Sequence, residues 1–255
     1  MARRRLDKLL VKKALASTIE EARELILGRR VMVAGIFNEK PASQIDGGVD
    51  IKLVVDEERY VSRGAHKLVQ GLSSFNIDPR GMVALDIGAS TGGFSDVLLK
   101  RGARKVFAID VGYGQLAWSL RQDDRVVVLE RENVRTIDSA LISESADIAV
   151  IDVSFISLTK ILDDVWRLMD CDAGKSIVAL VKPQFEARKE QVGKGGVVRD
   201  LDVRQECIDK VARYSEGIGL GVGEVVESPI RGPAGNVEFL IELTTGERRS
   251  FDTED

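Results

Sequence analysis

Apolar positions along the chain follow two regimes that change near residue 60. In the first, Leu6, Leu9, Leu10, Ala14 and Leu15 recur at helical spacing with basic residues between them. Ser17 and Thr18 precede Glu20 and Glu21 at the spacing of a capping box. A second helix is expected behind them, with Ala22, Leu25, Ile26 and Leu27 on its apolar side and Gly28 at its end. Val31, Val33 and Ile36 alternate around Gly35, and Ile51, Leu53 and Val55 alternate again, which predicts short strands. The whole is a small α+β module complete by about residue 60, small for an independent core.

Past that point the period switches repeatedly between 3.6 and 2. A helix is expected through about Phe75, broken by Pro79-Arg80-Gly81. Strands are expected at 83–88, 105–110, 126–129, 148–152 and 176–181, with helices at 92–101, 115–120, 158–169 and about 201–216. Two last strands, near 222–227 and 237–244, are joined by a Pro/Gly loop. Strands alternating with helices predict an α/β fold, a largely parallel sheet covered on both faces, with one antiparallel strand at the end. The expected plan is a module at 1–60, a linker at 61–64 and a larger domain at 65–255. Trp118 and Trp166 read as core residues of their helices.

Composition changes this picture in three ways. No stretch approaches the roughly 20 apolar residues of a membrane helix, and the charged start is followed by no apolar signal core. Cys171 and Cys207 lie far apart and fit no metal spacing, so a reduced, cytoplasmic protein is expected. His66 is the only histidine, which argues against a His-centred triad or a multi-His metal site. Charge is uneven: residues 1–30 carry nine Lys or Arg against four Asp or Glu, a net of +5 in a chain whose total is −4. A basic arm on an acidic body suits nucleic acid, although a solvated helix face would read the same way.

The first strand of the larger domain runs into Asp86-Ile87-Gly88-Ala89-Ser90-Thr91-Gly92-Gly93-Phe94. Glycines at a first strand–helix turn let the backbone approach a ligand closely. Ser90 replaces the second glycine of a dinucleotide fingerprint, and no Lys-Ser/Thr follows as in a P-loop. Asp110 ends the second strand 24 residues after Asp86, where a carboxylate accepts both hydroxyls of a ribose. Glu132-Asn133-Val134 sits where an adenine edge can be read. Candidate ligand contacts are therefore Asp86, Gly88, Ala89, Ser90, Gly92, Gly93, Phe94, Asp110, Asn133, Val134 and Asp152.

Four charged residues suggest chemistry. Asp152 ends the fourth strand, Lys182 ends the fifth, Glu238 begins the last, and Lys67 lies on the helix before the first. Ligands of such sheets bind beyond the carboxyl ends of the strands, so Asp152 and Lys182 share one cleft. Lysines at the apolar end of a buried strand are uncommon unless paired. A lysine takes a proton from a hydroxyl only when its pKa falls well below about 10.4, as burial or a second cation can arrange. A purely structural ion-pair network is the competing reading. Gly193-Lys194-Gly195-Gly196-Val197-Val198-Arg199-Asp200 reads either as a mobile surface loop or as a lid with Lys194 and Arg199 on phosphates. His66 reads as a packed or capping residue. Phe94 and Phe155 flank the cleft, either as core or against adenine or a target base.

These motifs resemble the TlyA (hemolysin A-type) family of ribosomal RNA 2′-O-methyltransferases over nearly the whole chain. Arg5-Leu6-Asp7, Ala22-Arg23-Glu24-Leu25-Ile26, the run from Gly28 to Gly35 and Lys40-Pro41 resemble an S4 RNA-binding domain. The remainder is similar to FtsJ-type enzymes, most specifically in Tyr60-Val61-Ser62-Arg63-Gly64-Ala65-His66-Lys67-Leu68, the Asp86–Phe94 turn, Asp152-Val153-Ser154-Phe155-Ile156-Ser157 and Lys182-Pro183-Gln184-Phe185-Glu186. The resemblance implies a Rossmann-like methyltransferase fold with a seven-stranded sheet, S-adenosylmethionine as cofactor, and cytidine 2′-hydroxyls of small- and large-subunit ribosomal RNA as substrate. Its Lys-Asp-Lys-Glu catalytic set falls on Lys67, Asp152, Lys182 and Glu238. The sequence does not choose the base; Lys182 is preferred because a strand-end lysine faces the methyl donor. RNA contacts are expected from Arg3, Arg4, Arg5, Lys8, Lys12, Arg23, Arg29 and Arg30 on the basic module, and from Arg63, Lys194 and Arg199 on the larger domain. A monomer that needs no metal and binds no membrane is expected.

Three other functions compete. A membrane-active hemolysin would need an amphipathic stretch of lytic length, which is missing. A non-catalytic RNA-binding or ribosome-assembly factor would have no use for an intact Lys-Asp-Lys-Glu set. A nicotinamide-dependent oxidoreductase would want the glycine that Ser90 replaces.

Overall fold

The computed structural model describes residues 3–27, 31–34, 36–37, 40–53, 60–170 and 173–246. Gly28, Arg29, Arg30, Gly35, Val55 and Cys171 lie outside the described residues, as does the side chain of Arg3. The chain divides into two compact units, Met1–Arg59 and Tyr60–Asp255.

The first unit holds β1 (Arg3–Arg5), α1 (Leu6–Lys12), α2 (Ile19–Leu27), β2 (Val31–Val33), β3 (Ile36–Phe37), β4 (Gln44–Asp46) and β5 (Ile51–Leu53). β1 pairs antiparallel with β4, and β2 lies antiparallel between β3 and β5. The β1–β4 pair has no signature in the sequence, because three consecutive arginines offer no apolar face. Leu6, Leu9, Leu10, Ala22, Ile26, Val31 and Ile51 form the core. Glu21 N–H donates to Thr18 Oγ1 at 3.1 Å and the Glu21 carboxylate accepts from Ser17 N–H at 2.7 Å, which tethers the start of α2. Two apolar assignments fail. Ala14 is exposed because α1 has already ended and Ala14 turns the chain at φ +55°. Leu27, at the last turn of α2, is 65% exposed.

The second unit carries α3 (Ala65–Ser74), β6 (Val83–Ile87), α4 (Gly93–Lys100), β7 (Lys105–Asp110), α5 (Trp118–Arg121), β8 (Val126–Glu130), β9 (Ile148–Ile151), α6 (Leu162–Leu168), β10 (Ser176–Val181), α7 (Pro183–Glu186), α8 (Leu201–Ile218), β11 (Leu220–Glu227) and β12 (Phe239–Thr245). Its seven strands lie in the order β11-β12-β10-β9-β6-β7-β8. β12 runs antiparallel to both its neighbours, and the pairs among β10, β9, β6, β7 and β8 are parallel. This is the expected sheet, with the antiparallel strand inserted between β10 and β11.

Two apolar layers sandwich the sheet. One is built around Trp166, Phe107, Ile151, Val181 and Ile241, the other around Leu68, Leu72, Val97, Leu98, Val106 and Leu240. The centre of the sheet reads as continuous apolar runs because both faces are covered. α3 rides close to it: a Cβ on Gly71 would lie 3.2 Å from Val178 Cγ1. That proximity carries Lys67, one turn earlier on the same side of the helix, down to the strand ends. Trp166 is fully buried, but Trp118 is 73% exposed, contrary to its expected place in the core. α5 is a single turn beginning at Trp118, and its buried contacts come from Leu116 and Leu120 instead. The expected helix at 158–169 is split into a 3-10 turn, Leu158–Lys160, and α6.

Candidate active site

Two adjoining cavities open at the carboxyl ends of the central strands. The larger, about 420 Å³, is walled by Ile87, Ile109, Val134, Val153, Ile156 and Ile161 with Asp110, Glu132 and Asn133 among its polar groups. The smaller, about 220 Å³, is lined by Lys67, Asp86, Asp152, Lys182 and Glu238 together with Gly88–Thr91, Gly93 and Phe94 of the following turn. Gly88, Ser90, Asp152 and Ser154 line both, so a single elongated ligand can lie across the boundary.

The turn between β6 and α4 is shaped for close approach. Gly88 has φ +83°, and a Cβ there would sit 2.7 Å from the Asp152 carbonyl oxygen. Ser90 also adopts a left-handed conformation, at φ +49°. Asp110 holds the turn: one carboxylate oxygen accepts from Ser90 N–H at 2.7 Å and the other from Gly112 N–H at 2.6 Å. Each oxygen keeps a second acceptor direction, the number needed for two ribose hydroxyls. Asp86 is fully buried, and Ser95 donates to its Oδ2 through both its amide and its hydroxyl, at 2.9 and 2.7 Å. Its Oδ1 has no partner and is enclosed. Burial lifts the Asp86 carboxyl to about 7, against the pull of the Ser95 hydrogen bonds and with a further push from Asp152 and Asp110. An enclosed, unsatisfied acceptor on a cavity wall is a place for a ligand donor. One expected contact is displaced: Gly92, at φ +92°, lines neither cavity. A Cβ there would collide with Leu116 and Leu120, so that glycine serves helix packing.

The four charged residues do converge. Lys67 Nζ lies 2.6 Å from Glu238 Oε2 and 3.9 Å from Asp152 Oδ2. Lys182 Nζ lies 2.6 Å from Asp152 Oδ1 and donates to Ser154 Oγ at 2.9 Å. Both lysines and Glu238 are buried, while the Asp152 side chain keeps 23% of its surface open toward the cavities. Asp152 thus stands between the two ammonium groups. Glu238 lies one residue before β12 instead of within it, and a Cβ on Gly232 would strike its carboxylate, so the preceding loop closes over it.

Residues 60–245 match the family model of FtsJ-like methyltransferases, and residues 4–51 match that of the S4 domain. The chain is 48% identical to the 16S/23S rRNA (cytidine-2′-O)-methyltransferase TlyA of Mycobacterium tuberculosis over 98% of its length and 94% of that protein. The chain belongs to the TlyA family of FtsJ-like methyltransferases. It is also 39% identical to Hemolysin A of Brachyspira hyodysenteriae, covering 92% of this chain and 98% of that one. A solved hemolysin-named structure from Streptococcus thermophilus superposes with TM-score 0.72 at 41% identity, covering 97% of this chain and 90% of the other. Among the described residues no helix is long and apolar enough to cross a membrane.

In this TlyA-family chain the basic candidates divide by setting. Arg4, Lys8 and Lys12 are exposed, whereas Arg5 and Arg23 ion-pair with buried Asp7 at 2.7 and 3.4 Å. Arg5 beside Asp7 holds that carboxyl down at about 2. Arg63 is exposed between Ser62 and Gly64, which both line the smaller cavity. Lys194 and Arg199 are exposed on a loop tied down by Asn236, whose Oδ1 accepts from Val198 N–H at 3.0 Å and whose Nδ2 donates to the Gly196 carbonyl at 2.8 Å. His66 packs edge-on against Tyr60. Phe94 is buried in the cavity wall, but Phe155 is 91% exposed at φ +66°. Sequence reasoning left Ser62, Thr91, Ser154 and Pro233 out of the site, though all four line the smaller cavity. Ser62, Thr91 and Ser154 belong to motifs that the sequence marks; no local pattern singles out Pro233.

Proposed function

We propose that the chain methylates cytidine ribose 2′-hydroxyls in 16S or 23S ribosomal RNA, with S-adenosylmethionine as donor, as the M. tuberculosis relative's name describes for that protein. The observation that carries this reading is the Lys67–Glu238 and Asp152–Lys182 pairing in the smaller cavity, with Asp152 also on the wall of the larger one. The cavities fit the donor: Asp110 and Asn133 for the adenosine in the larger one, and the enclosed Asp86 Oδ1 for an ammonium donor group in the smaller. Bound there, S-adenosylmethionine supplies an electrophilic methyl group on a sulfonium. Lys182, its nitrogen fixed by Asp152 and Ser154, is the group placed to take the 2′-hydroxyl proton. Lys67, held by Glu238, places positive charge beside the forming alkoxide. Phe155 offers an open ring face to a nucleobase. The S4 module supplies phosphate contacts through Arg4, Lys8 and Lys12.

Tritium transfer from labelled S-adenosylmethionine to ribosomal subunits and naked rRNA tests the reading. Incorporation that protects the modified site from alkaline cleavage, and that falls by about 10²–10⁴-fold in Lys182→Ala, supports it. Absence of transfer to any RNA by a folded, donor-binding protein overturns it.

A further inference from the structure

The two segments that deliver the catalytic pair are joined a second time, away from the cavities. Glu186 is the last residue of α7, four positions after Lys182, and its side chain is 1% exposed. Its Oε2 accepts from Ser157 Oγ at 2.5 Å and from Lys210 Nζ at 2.8 Å, and its Oε1 accepts from Leu158 N–H at 2.7 Å. Ser157 and Leu158 end the loop that begins at Asp152, and Lys210 lies in α8. Lys210 also donates to the Glu186 carbonyl at 2.9 Å. Midway between the two links, Phe155 and Phe185 pack at 5.2 Å. The loop after β9 and the segment after β10 are therefore cross-tied three times: by Lys182 with Asp152 and Ser154 at the site, by the ring pair, and by Glu186 with Ser157 and Leu158 behind it.

We infer that Glu186 is a positioning residue for methyl transfer, which sets the spacing of Lys182 against Asp152 and the stance of Phe155 without touching substrate. Glu186 lines neither cavity. A hydrophobic residue could fill its volume, but it could not satisfy the Leu158 amide, the Ser157 hydroxyl and the Lys210 ammonium together. The arrangement needs an ionised, acceptor-only group, because all its neighbours donate. The loop it holds carries Phe155 in a left-handed conformation that bulky side chains rarely adopt, so that shape depends on outside ties. A displacement of an ångström at the reacting groups is enough to cost about 10²-fold in rate.

This inference rests on the reading of the site as a methyltransferase centre. The test is single-turnover methyl transfer with Glu186→Gln, which puts an amide donor among donors at constant volume. The expected result is a rate constant lowered 10- to 100-fold, with burst amplitude and S-adenosylmethionine Kd within twofold of the parent. Lys210→Met, at a half-exposed position, leaves the carboxylate and its other two donors in place and should lower the rate constant 3- to 10-fold. Unfolding would reduce the amplitude and leave the rate constant of the remaining molecules unchanged; that pattern, or an unaltered rate constant in both variants, overturns the inference. If the parent protein itself transfers no methyl group to RNA, the proposed function fails instead.

Discussion

Asp86 gives the sharpest quantitative expectation. Its carboxyl sits at about 7 in the folded protein, because burial disfavours the charge, against an ordinary value of 3.8. A raised carboxyl means that the folded state binds the proton more tightly than the unfolded state does. The resulting stabilisation is complete below about 3.8 and is lost as pH rises through about 7. Some three pKa units correspond to about 4 kcal/mol in full, of which about 2–3 kcal/mol falls between pH 5 and pH 8. Asp86→Asn keeps an acceptor for the Ser95 donors and is neutral at every pH. Relative to the variant, the parent should therefore already be weaker by about 1.5–2 kcal/mol at pH 5 and by about 4 kcal/mol at pH 8, a widening of about 2–3 kcal/mol across that range. Urea denaturation followed by tryptophan fluorescence reports on the relevant unit, since Trp118 and Trp166 both lie in residues 60–255. The comparison must be made without ligand, because a cationic group at Oδ1 would favour the charged form and draw the carboxyl down. Taking the difference between the two curves cancels every other titrating group. Parallel curves across this pH range would refute the assignment of a neutralised, enclosed carboxyl to the donor cavity.

Lys67→Met leaves the Glu238 carboxylate buried without its cation and should cost about 3–5 kcal/mol in chemical denaturation. Adding Glu238→Gln should recover most of that stability while activity stays lost, which separates the structural from the chemical role of the pair. Gly88→Ala forces a side chain into a φ of +83° and against the Asp152 carbonyl at 2.7 Å. It should cost at least about 1–3 kcal/mol and abolish donor binding in calorimetry. Gly92→Ala, by contrast, meets only leucine side chains, so its damage should appear in thermal stability with donor Kd preserved in the folded fraction.

How much of this was legible depended on where the information sits in the chain. The strand ends were readable because buried parallel strands are unbroken apolar runs, and Ile148–Ile151 and Ser176–Val181 each stop at one charged residue, Asp152 or Lys182. A charge in that position must answer to the ligand crevice, so the chemistry could be named before the geometry was known. Lys67 and Glu238 were less exposed to such reasoning: their places on the elements put them among the four charged candidates, but they lie 171 residues apart and no local pattern pairs one with the other. Trp118 was misplaced because helical spacing cannot show that a helix is one turn long and begins at the residue in question. The β1–β4 pair was missed because a sheet rung made of arginines carries no alternation. Glu186 belongs to the same class as Glu238. It is a polar residue inside a marked motif, and its purpose lies in an amide 28 positions away and an ammonium 24 positions away. Local pattern records which residues face the core; it does not record which buried charge ties two loops together. Those ties set the spacing on which the proton transfer at Lys182 would depend.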